Sequence, residues 1–264
     1  MKQLFLAIFG LSMLTACQQY EKTPTGLPYQ LKKGDGKIKP KHGQFIKFNV
    51  EFKIGTKDSV LNSSYGHVPA FATFDTARLG KYSFMEIIPA MHVGDKATFS
   101  MSVDTVKNMG MINQYDNVFV KGDFIKGRLE LLSVFNTEAE VNADYQNEMK
   151  LEKEREIEAL KKYISKKNIN LNATQKSKEG VIVYLKEAGN TTLKADSGKQ
   201  LTVLYKGYTE EGKVFDANMG TEARTKEPLK LVLGTNSVIA GWEEGLKFFN
   251  KGAKGTIFVP AMLA

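Results

Sequence analysis

The sequence predicts an α+β protein of two like domains joined by one long charged helix. Three observations carry this expectation. Segments with a two-residue apolar period occur in both halves of the chain. Between the halves, residues 138–167 are dense in Glu and Lys and contain neither Gly nor Pro. The halves also match each other at a fixed offset, as two copies of one domain would.

Taken in order, Pro28 to Gly36 reads as a short strand and a turn. Ile46, Phe48, Val50 and Phe52 alternate with polar residues and predict a half-buried strand. Phe84, Ile88 and Met91 fall on one face of a short helix that Gly94 ends and that Pro89 should distort. Phe99, Met101 and Val103 predict another strand, and Phe124 to Phe135 a last one with Gly127 at a bulge.

The charged run 138–167 reads as one helix with a thin stripe of Val141, Tyr145, Met149, Ile157, Leu160 and Ile164. Such a helix is a solvated spacer, a helix lying on its own domain, or an arm for a homodimer. The thin stripe favours the first two. Asn168 to Glu179 reads as a polar linker.

The second half resumes with a strand over 180–187, then Leu201, Val203 and Tyr205 alternating with polar residues. Residues 210–213 make a hairpin turn leading to Val214-Phe215-Asp216, and Leu229 to Leu233 is a further strand. Trp242, Leu246 and Phe249 share one face of a helix over 241–251, stopped by Gly252. Thr256 to Val259 is a strand closed by Pro260.

Gly94 and Gly252 stand 158 residues apart, and the same offset pairs Phe84 with Trp242, Ile88 with Leu246 and Met91 with Phe249. The first copy continues through the strand 124–135, while the second stops at Ala264. The expectation is a second domain truncated before its last strand, because a sheet lacking that strand leaves backbone groups unpaired.

The 264 residues carry a formal charge of +8, but the lysines are scattered among acids and no nucleic-acid motif appears. His42, His67 and His92 lack metal-ligand spacing, no elbow serine is present, and no cofactor or metal is expected. The one cysteine, Cys17, follows Lys2, the apolar stretch Leu4 to Leu14 and then Thr15-Ala16. That pattern reads as a secretory signal. It resembles a bacterial lipobox, which implies cleavage before Cys17, its acylation, and a lipid-anchored, outer-membrane protein facing the periplasm or the surface. The chain then divides into a signal peptide 1–16, a tether 17–27, a first domain 28–135, a charged helix and linker 136–178, and a second domain 179–264.

Leu204-Tyr205-Lys206-Gly207-Tyr208, Gly212-Lys213-Val214-Phe215-Asp216 and Val238 to Leu246 occur in this order. Together they resemble the FKBP family of peptidyl-prolyl isomerases; residues 28–135 resemble the same fold less closely. The resemblance implies two domains, each an antiparallel sheet curled around a short helix. It implies an apolar cup for a prolyl ring, floored by Trp242 and walled by Phe215, Val238 and Ile239. Tyr205 would line it, Asp216 would stand beside it, and the backbone N–H of Ile239 would donate to the bound peptide. Leu229 and Leu231 stand where the family often has phenylalanine, and Ala240 replaces a frequent proline. The partners implied are proline-containing unfolded or folding polypeptides, with no nucleic acid.

In the first copy Leu61, Asn62 and Phe84 replace the aromatic, the aspartate and the tryptophan, and Val50 stands near the tyrosine position. That copy is expected to be weak or inactive. Two functional classes follow: an isomerase assisting folding outside the cytoplasm, or a non-catalytic lipoprotein that holds other chains.

Overall fold

The computed structural model describes residues 20–264. The segment expected to be a signal and Cys17 lie outside the described residues. The chain forms two units, divided between Glu148 and Met149.

In the first unit, antiparallel strands pair in the order β1 (Glu21–Lys22), β2 (Pro28–Lys32), β6 (Lys96–Ser102), β7 (Phe124–Phe135), β3 (Phe45–Ile54), β4 (Ser59–Ser63), and β5 (Ala70–Thr73) also pairs with β3. β7 follows the expected span because Leu129 and Leu131 alternate with Arg128 and Glu130 between two partner strands. The curled sheet buries Ile46, Phe48, Ile88, Leu129 and Leu131 in one core.

Several expectations are corrected. Phe84 to Met91 is not one helix. Two 3₁₀ turns, Phe84–Glu86 and Ile88–Ala90, replace it, because Pro89 cannot donate the bond a continuous helix needs. Val103 does not extend the strand. It opens helix α1 (Val103–Asn108), which Ser102 caps by accepting from the Thr105 amide. The stretch expected to be a tether is docked from Glu21 onward. β1 pairs with β2, Tyr29 donates to Glu21 at 2.7 Å, and Leu27 is buried.

Gly127 marks no bulge. It stands opposite Phe99, whose ring lies where a side chain would go: a Cβ at Gly127 would come within 2.0 Å of Phe99 Cζ. Phe99 cannot move aside readily, because Phe52 meets it edge-on at 5.7 Å and Phe84 stacks on it at 6.1 Å.

Helix α2 (Glu138–Lys166) carries its stripe as expected, but each part of it lies on a sheet of its own unit. In the first unit Lys47, 8% exposed, donates to Asp144 at 2.6 Å and Glu148 at 2.7 Å. Burial pulls the Lys47 pKa down, and the two carboxylates outweigh it, so its charge is held above the ordinary lysine range. In the second unit Leu160 and Ile164 bury against Ile182 and Phe258. These apolar residues are thus covered within the chain's own fold, as a helix lying on its domain requires.

The second unit contains antiparallel ladders: β16 (Lys254–Phe258), β9 (Ile182–Glu187), β8 (Thr174–Lys176); β10 (Asn190–Lys194) with β15 (Asn250–Lys251); β11 (Gln200–Val203) with β14 (Leu229–Val232); and β12 (Lys206–Tyr208) with β13 (Val214–Ala217). The stretch expected to be a polar linker therefore contributes β8 to a sheet. The expected strand through Tyr205 breaks there into β11 and β12.

Helix α3 (Ala240–Leu246) is shorter than the expected 241–251. It lies so close to β16 that side chains at Gly241 and Gly245 would meet Val259 at 2.2 Å and Ile257 at 2.5 Å. Phe249 lies beyond its end, and Gly252, at φ +80°, turns the chain between β15 and β16.

Part of the strand pairing of the first unit recurs in the second. Tyr29 pairs with Phe99 in the first and Val183 with Ile257 in the second, which keeps the 158-residue offset between Phe99 and Ile257. In the first unit β7 pairs with both β6 and β3. Among the described residues no strand of the second unit takes that place.

The contact of Gly127 with Phe99 gives a direct test. Gly127→Ala should destabilise the first unit by about 2 kcal/mol, the cost of overpacking a closed site. The check is urea unfolding; an unchanged midpoint would show that Phe99 yields.

Candidate functional site

The candidate site is built from the break between β11 and β12. The chain leaves the ladder at Leu204-Tyr205, and Asn218 fixes the exit. Its backbone N–H donates to the Tyr205 carbonyl at 3.1 Å, and its Oδ1 accepts the Tyr205 N–H at 2.7 Å. Its Nδ2 donates to the Val203 and Glu227 carbonyls at 2.9 and 3.2 Å. Four bonds on a residue only 4% exposed make Asn218 a bracket for the strand break. Sequence reasoning missed it, since an Asn after a strand reads as a turn residue.

So held, the Tyr205 ring meets the Trp242 indole at 4.8 Å with an interplanar angle of 89°, the edge-to-face arrangement that aromatic quadrupoles favour. The Tyr205 hydroxyl donates to Asp216 Oδ2 at 2.5 Å, and Asp216 Oδ1 accepts the Ala217 N–H at 3.0 Å. The hydrogen bond to Asp216, then burial, then the charge of Asp216 raise the Tyr205 pKa above the ordinary tyrosine value. Asp216 is thereby tied as an acceptor of fixed orientation.

Trp242 belongs to an apolar cluster with Leu229, Leu231 and Val238, around buried Leu233 and Leu246. Two further residues open outward. Ile239, 44% exposed, precedes α3; its carbonyl accepts from the Trp242 and Glu243 amides at 2.9 and 3.2 Å. Its own N–H donates to no partner among the described residues. Phe215, 55% exposed, is the extra residue of a bulge in β13, and its ring covers Gly207, where a Cβ would meet Phe215 Cζ at 2.7 Å.

The structure thus joins Tyr205, Asp216, Trp242, Leu229, Leu231 and Val238 through packing or hydrogen bonds. Phe215 and Ile239 are placed by a bulge and by the start of a helix. Neither belongs to the packed cluster around Trp242.

Glu243 is a second residue that sequence reasoning missed. It is buried, and its carboxylate accepts from the amides of Gly234 at 2.6 Å and Asn236 at 3.0 Å. Both of these residues have positive φ, so the turn leading to Val238-Ile239 is fastened to α3. An acidic residue in the first turn of a helix is common, and nothing local distinguishes this one.

The arrangement offers an apolar floor, a fixed acceptor, one free backbone donor and two exposed apolar residues. It has no nucleophile with an adjacent base. It suits the binding of a small apolar ring on an extended chain rather than bond cleavage.

Comparison with known proteins gives the family of this part of the chain. The family model described as FKBP-type peptidyl-prolyl cis-trans isomerase matches residues 191–264. The chain is similar to FK506-binding protein 2 of Candida glabrata, 42% identical over 73 residues, which is 27% of this chain and 51% of that protein. It is 33% identical over 86 residues to FK506-binding protein 1A of Neurospora crassa, covering 33% of this chain and 68% of the relative. It is also 28% identical over 168 residues to the FKBP-type peptidyl-prolyl cis-trans isomerase FkpA of Buchnera aphidicola, covering 61% of this chain and 64% of that protein. The chain spans about half the length of the first of these and under two thirds of the last.

The Tyr205–Asp216 bond sets a pH dependence. Its contribution to stability is present in full below the unfolded tyrosine value of about 10 and is lost as pH rises through the higher folded value. Unfolding followed by the fluorescence of Trp242 should show stability falling above about pH 10 in the wild type. Tyr205→Phe should lack that fall; equal slopes would refute the bond's role.

Proposed function

Because the chain belongs to the FKBP-type peptidyl-prolyl cis-trans isomerase family, we propose that its second unit isomerises X–Pro bonds of polypeptide substrates. The rotation barrier is about 18–20 kcal/mol, since twisting the bond breaks amide resonance. The planar amide carries more charge separation than the twisted one. A water-poor apolar hollow therefore favours the twisted state relative to water. No proton transfer, metal or cofactor enters this step.

Trp242 floors the hollow in this reading, with Leu229, Leu231 and Val238 beside it and Phe215 and Ile239 at its mouth. The Ile239 N–H holds the substrate backbone. Asp216 orients Tyr205 and the hollow and does not act as a general base. The observation that carries the reading is the perpendicular packing of Tyr205 on Trp242 with the hydroxyl locked to Asp216.

A second reading is that the protein binds chains without catalysis. It is favoured by the first unit, where Leu61, Asn62 and Phe84 stand at the corresponding positions. A refolding assay limited by prolyl isomerisation separates the two. The wild-type chain should accelerate the slow phase, and Trp242→Ala and Asp216→Ala should each cut that acceleration about tenfold or more, some 1.4 kcal/mol of transition-state stabilisation. A wild-type rate equal to the uncatalysed one excludes the enzyme reading.

We further propose that the chain is exported and held at the outer membrane by acylation of Cys17, on the strength of the apolar stretch Leu4 to Leu14 and Leu14-Thr15-Ala16-Cys17. Labelled palmitate should be incorporated by the wild type and not by Cys17→Ser. Equal labelling of both removes the anchor.

A further inference from the structure

The first unit holds the same strand pairings with different side chains. In β3 and β4, Phe52 pairs with Asn62 and Glu51 with Ser63, after which a bulge leaves Leu61 as the extra residue. In β12 and β13, Gly207 pairs with Asp216 and Lys206 with Ala217, and the extra residue is Phe215. The bracket repeats as well. Ser64 donates its amide to the Val50 carbonyl at 3.0 Å, and its hydroxyl accepts the Val50 N–H at 3.0 Å, as Asn218 does for Tyr205. Val50 therefore corresponds to Tyr205, Leu61 to Phe215, and Phe52 to Gly207.

The last correspondence changes what the hollow contains. In the second unit Gly207 contributes no side chain, and Phe215, leaning over it, is 55% exposed. In the first unit Phe52 projects from that position and turns inward. Its ring meets Phe84, the counterpart of Trp242, at 5.8 Å and 66°, and Phe99, the counterpart of Ile257, at 5.7 Å and 74°. Phe48 meets Phe84 from another side at 5.7 Å. Leu61, without an aromatic ring, is left exposed at the surface.

We propose that Phe52 is a built-in occupant of the first unit's hollow and is the residue that excludes prolyl ligands from this domain. An aromatic ring of the chain's own sheet sits against Phe84, where the second unit has Gly207 and sends no side chain from that strand position toward Trp242. The proposal rests on reading the Trp242 hollow as a proline site. It differs from a simple loss of site residues, because it assigns the exclusion to a side chain gained at the position of Gly207, two residues along β3 from Val50.

The test uses the whole chain carrying Trp242→Ala, which removes the floor of the second unit, with phenylalanine rings isotope-labelled for NMR. Benzene serves as an apolar probe and a proline-containing tetrapeptide as the ligand. In the Phe52-containing chain, neither should move the Phe48, Phe84 or Phe99 ring signals. In Phe52→Gly both should move them, with affinity at least tenfold higher. Phe52→Leu keeps an apolar but smaller side chain and protects against failure of the glycine variant to fold. Benzene should shift the same rings in it more than in the parent.

Shifts as large with Phe52 present show an open hollow and overturn the proposal. So does a folded Phe52→Gly chain, or Phe52→Leu where glycine does not fold, whose rings benzene leaves unmoved. Entry of benzene without the peptide overturns the claim that Phe52 alone sets the exclusion. Failure of the isomerase reading appears instead in the wild-type refolding rate and leaves the benzene result unaffected.

Discussion

The contact of Tyr205 with Trp242 is the constraint on which the second unit's site depends. An indole packed flat against its neighbours offers no hollow, and one left loose offers no fixed floor. The perpendicular Tyr205 ring, 4.8 Å away, restrains it from one side. That contact in turn needs Tyr205 to leave the sheet at the right residue. The four bonds of Asn218 supply this by ending β11 at Val203 and starting β12 at Lys206. The hydroxyl bond to Asp216 then fixes the ring's far end. A strand break, a bracket and a ring contact form one chain of cause, and each link lies within about fifteen residues of Tyr205 except Trp242 itself.

The other half of the site is set by the close approach of α3 to β16. Gly241 and Gly245 leave no side chain on that face, so Val259 and Ile257 fill the space and the helix lies tight on the strand. This closeness sets the depth at which Trp242 stands. Glu243, one position further round the helix, reaches back to the amides of Gly234 and Asn236 and so carries the turn that ends in Val238-Ile239. The same seven-residue helix therefore positions Trp242 directly and the Val238-Ile239 turn through Glu243. Its shortness relative to the apolar pattern follows from the same tightness. The pattern assigns Phe249 to the helix, but α3 ends at Leu246 and Asn250-Lys251 pairs with β10.

What the sequence made legible is what periodicity and repeats encode. The strand 124–135 and the long helix were readable because each alternates or repeats at one period over many residues. The repeat was readable because the offset of 158 holds without a gap from Phe84 to Thr98. The residues Tyr205, Asp216 and Trp242 were readable from their motifs, and the structure brings these three together. The rest depends on tertiary contacts with no local mark. Gly127 looks like a bulge glycine and is a platform for Phe99. Residues 174–176 look like linker because a three-residue edge strand has too few positions to show a period. Asn218 and Glu243 carry several buried bonds each, yet both are ordinary in their local settings.

Comparing the two units separates scaffold from content. Both keep the paired strands, the bulge, the bracket at Ser64 or Asn218, and the glycine at 94 or 252. Backbone hydrogen bonds hold those features, and they tolerate different side chains provided the polar groups stay satisfied. The content of the hollow is governed differently. A packed interior admits no vacant ring-sized space without cost, so a hollow persists only where the lining cannot collapse. In the second unit Tyr205 is held to Asp216, and Gly207 adds no side chain beside them. In the first, Val50 offers no ring or hydroxyl at that position, and Phe52, Phe84, Phe99 and Phe48 close on one another. An aromatic cluster of this kind gains stability from the burial that the second unit forgoes. The two domains thus fill one set of strand pairings differently: in the first the aromatic residues complete a core, and in the second Tyr205 and Trp242 pack edge to face while Phe215 stays exposed.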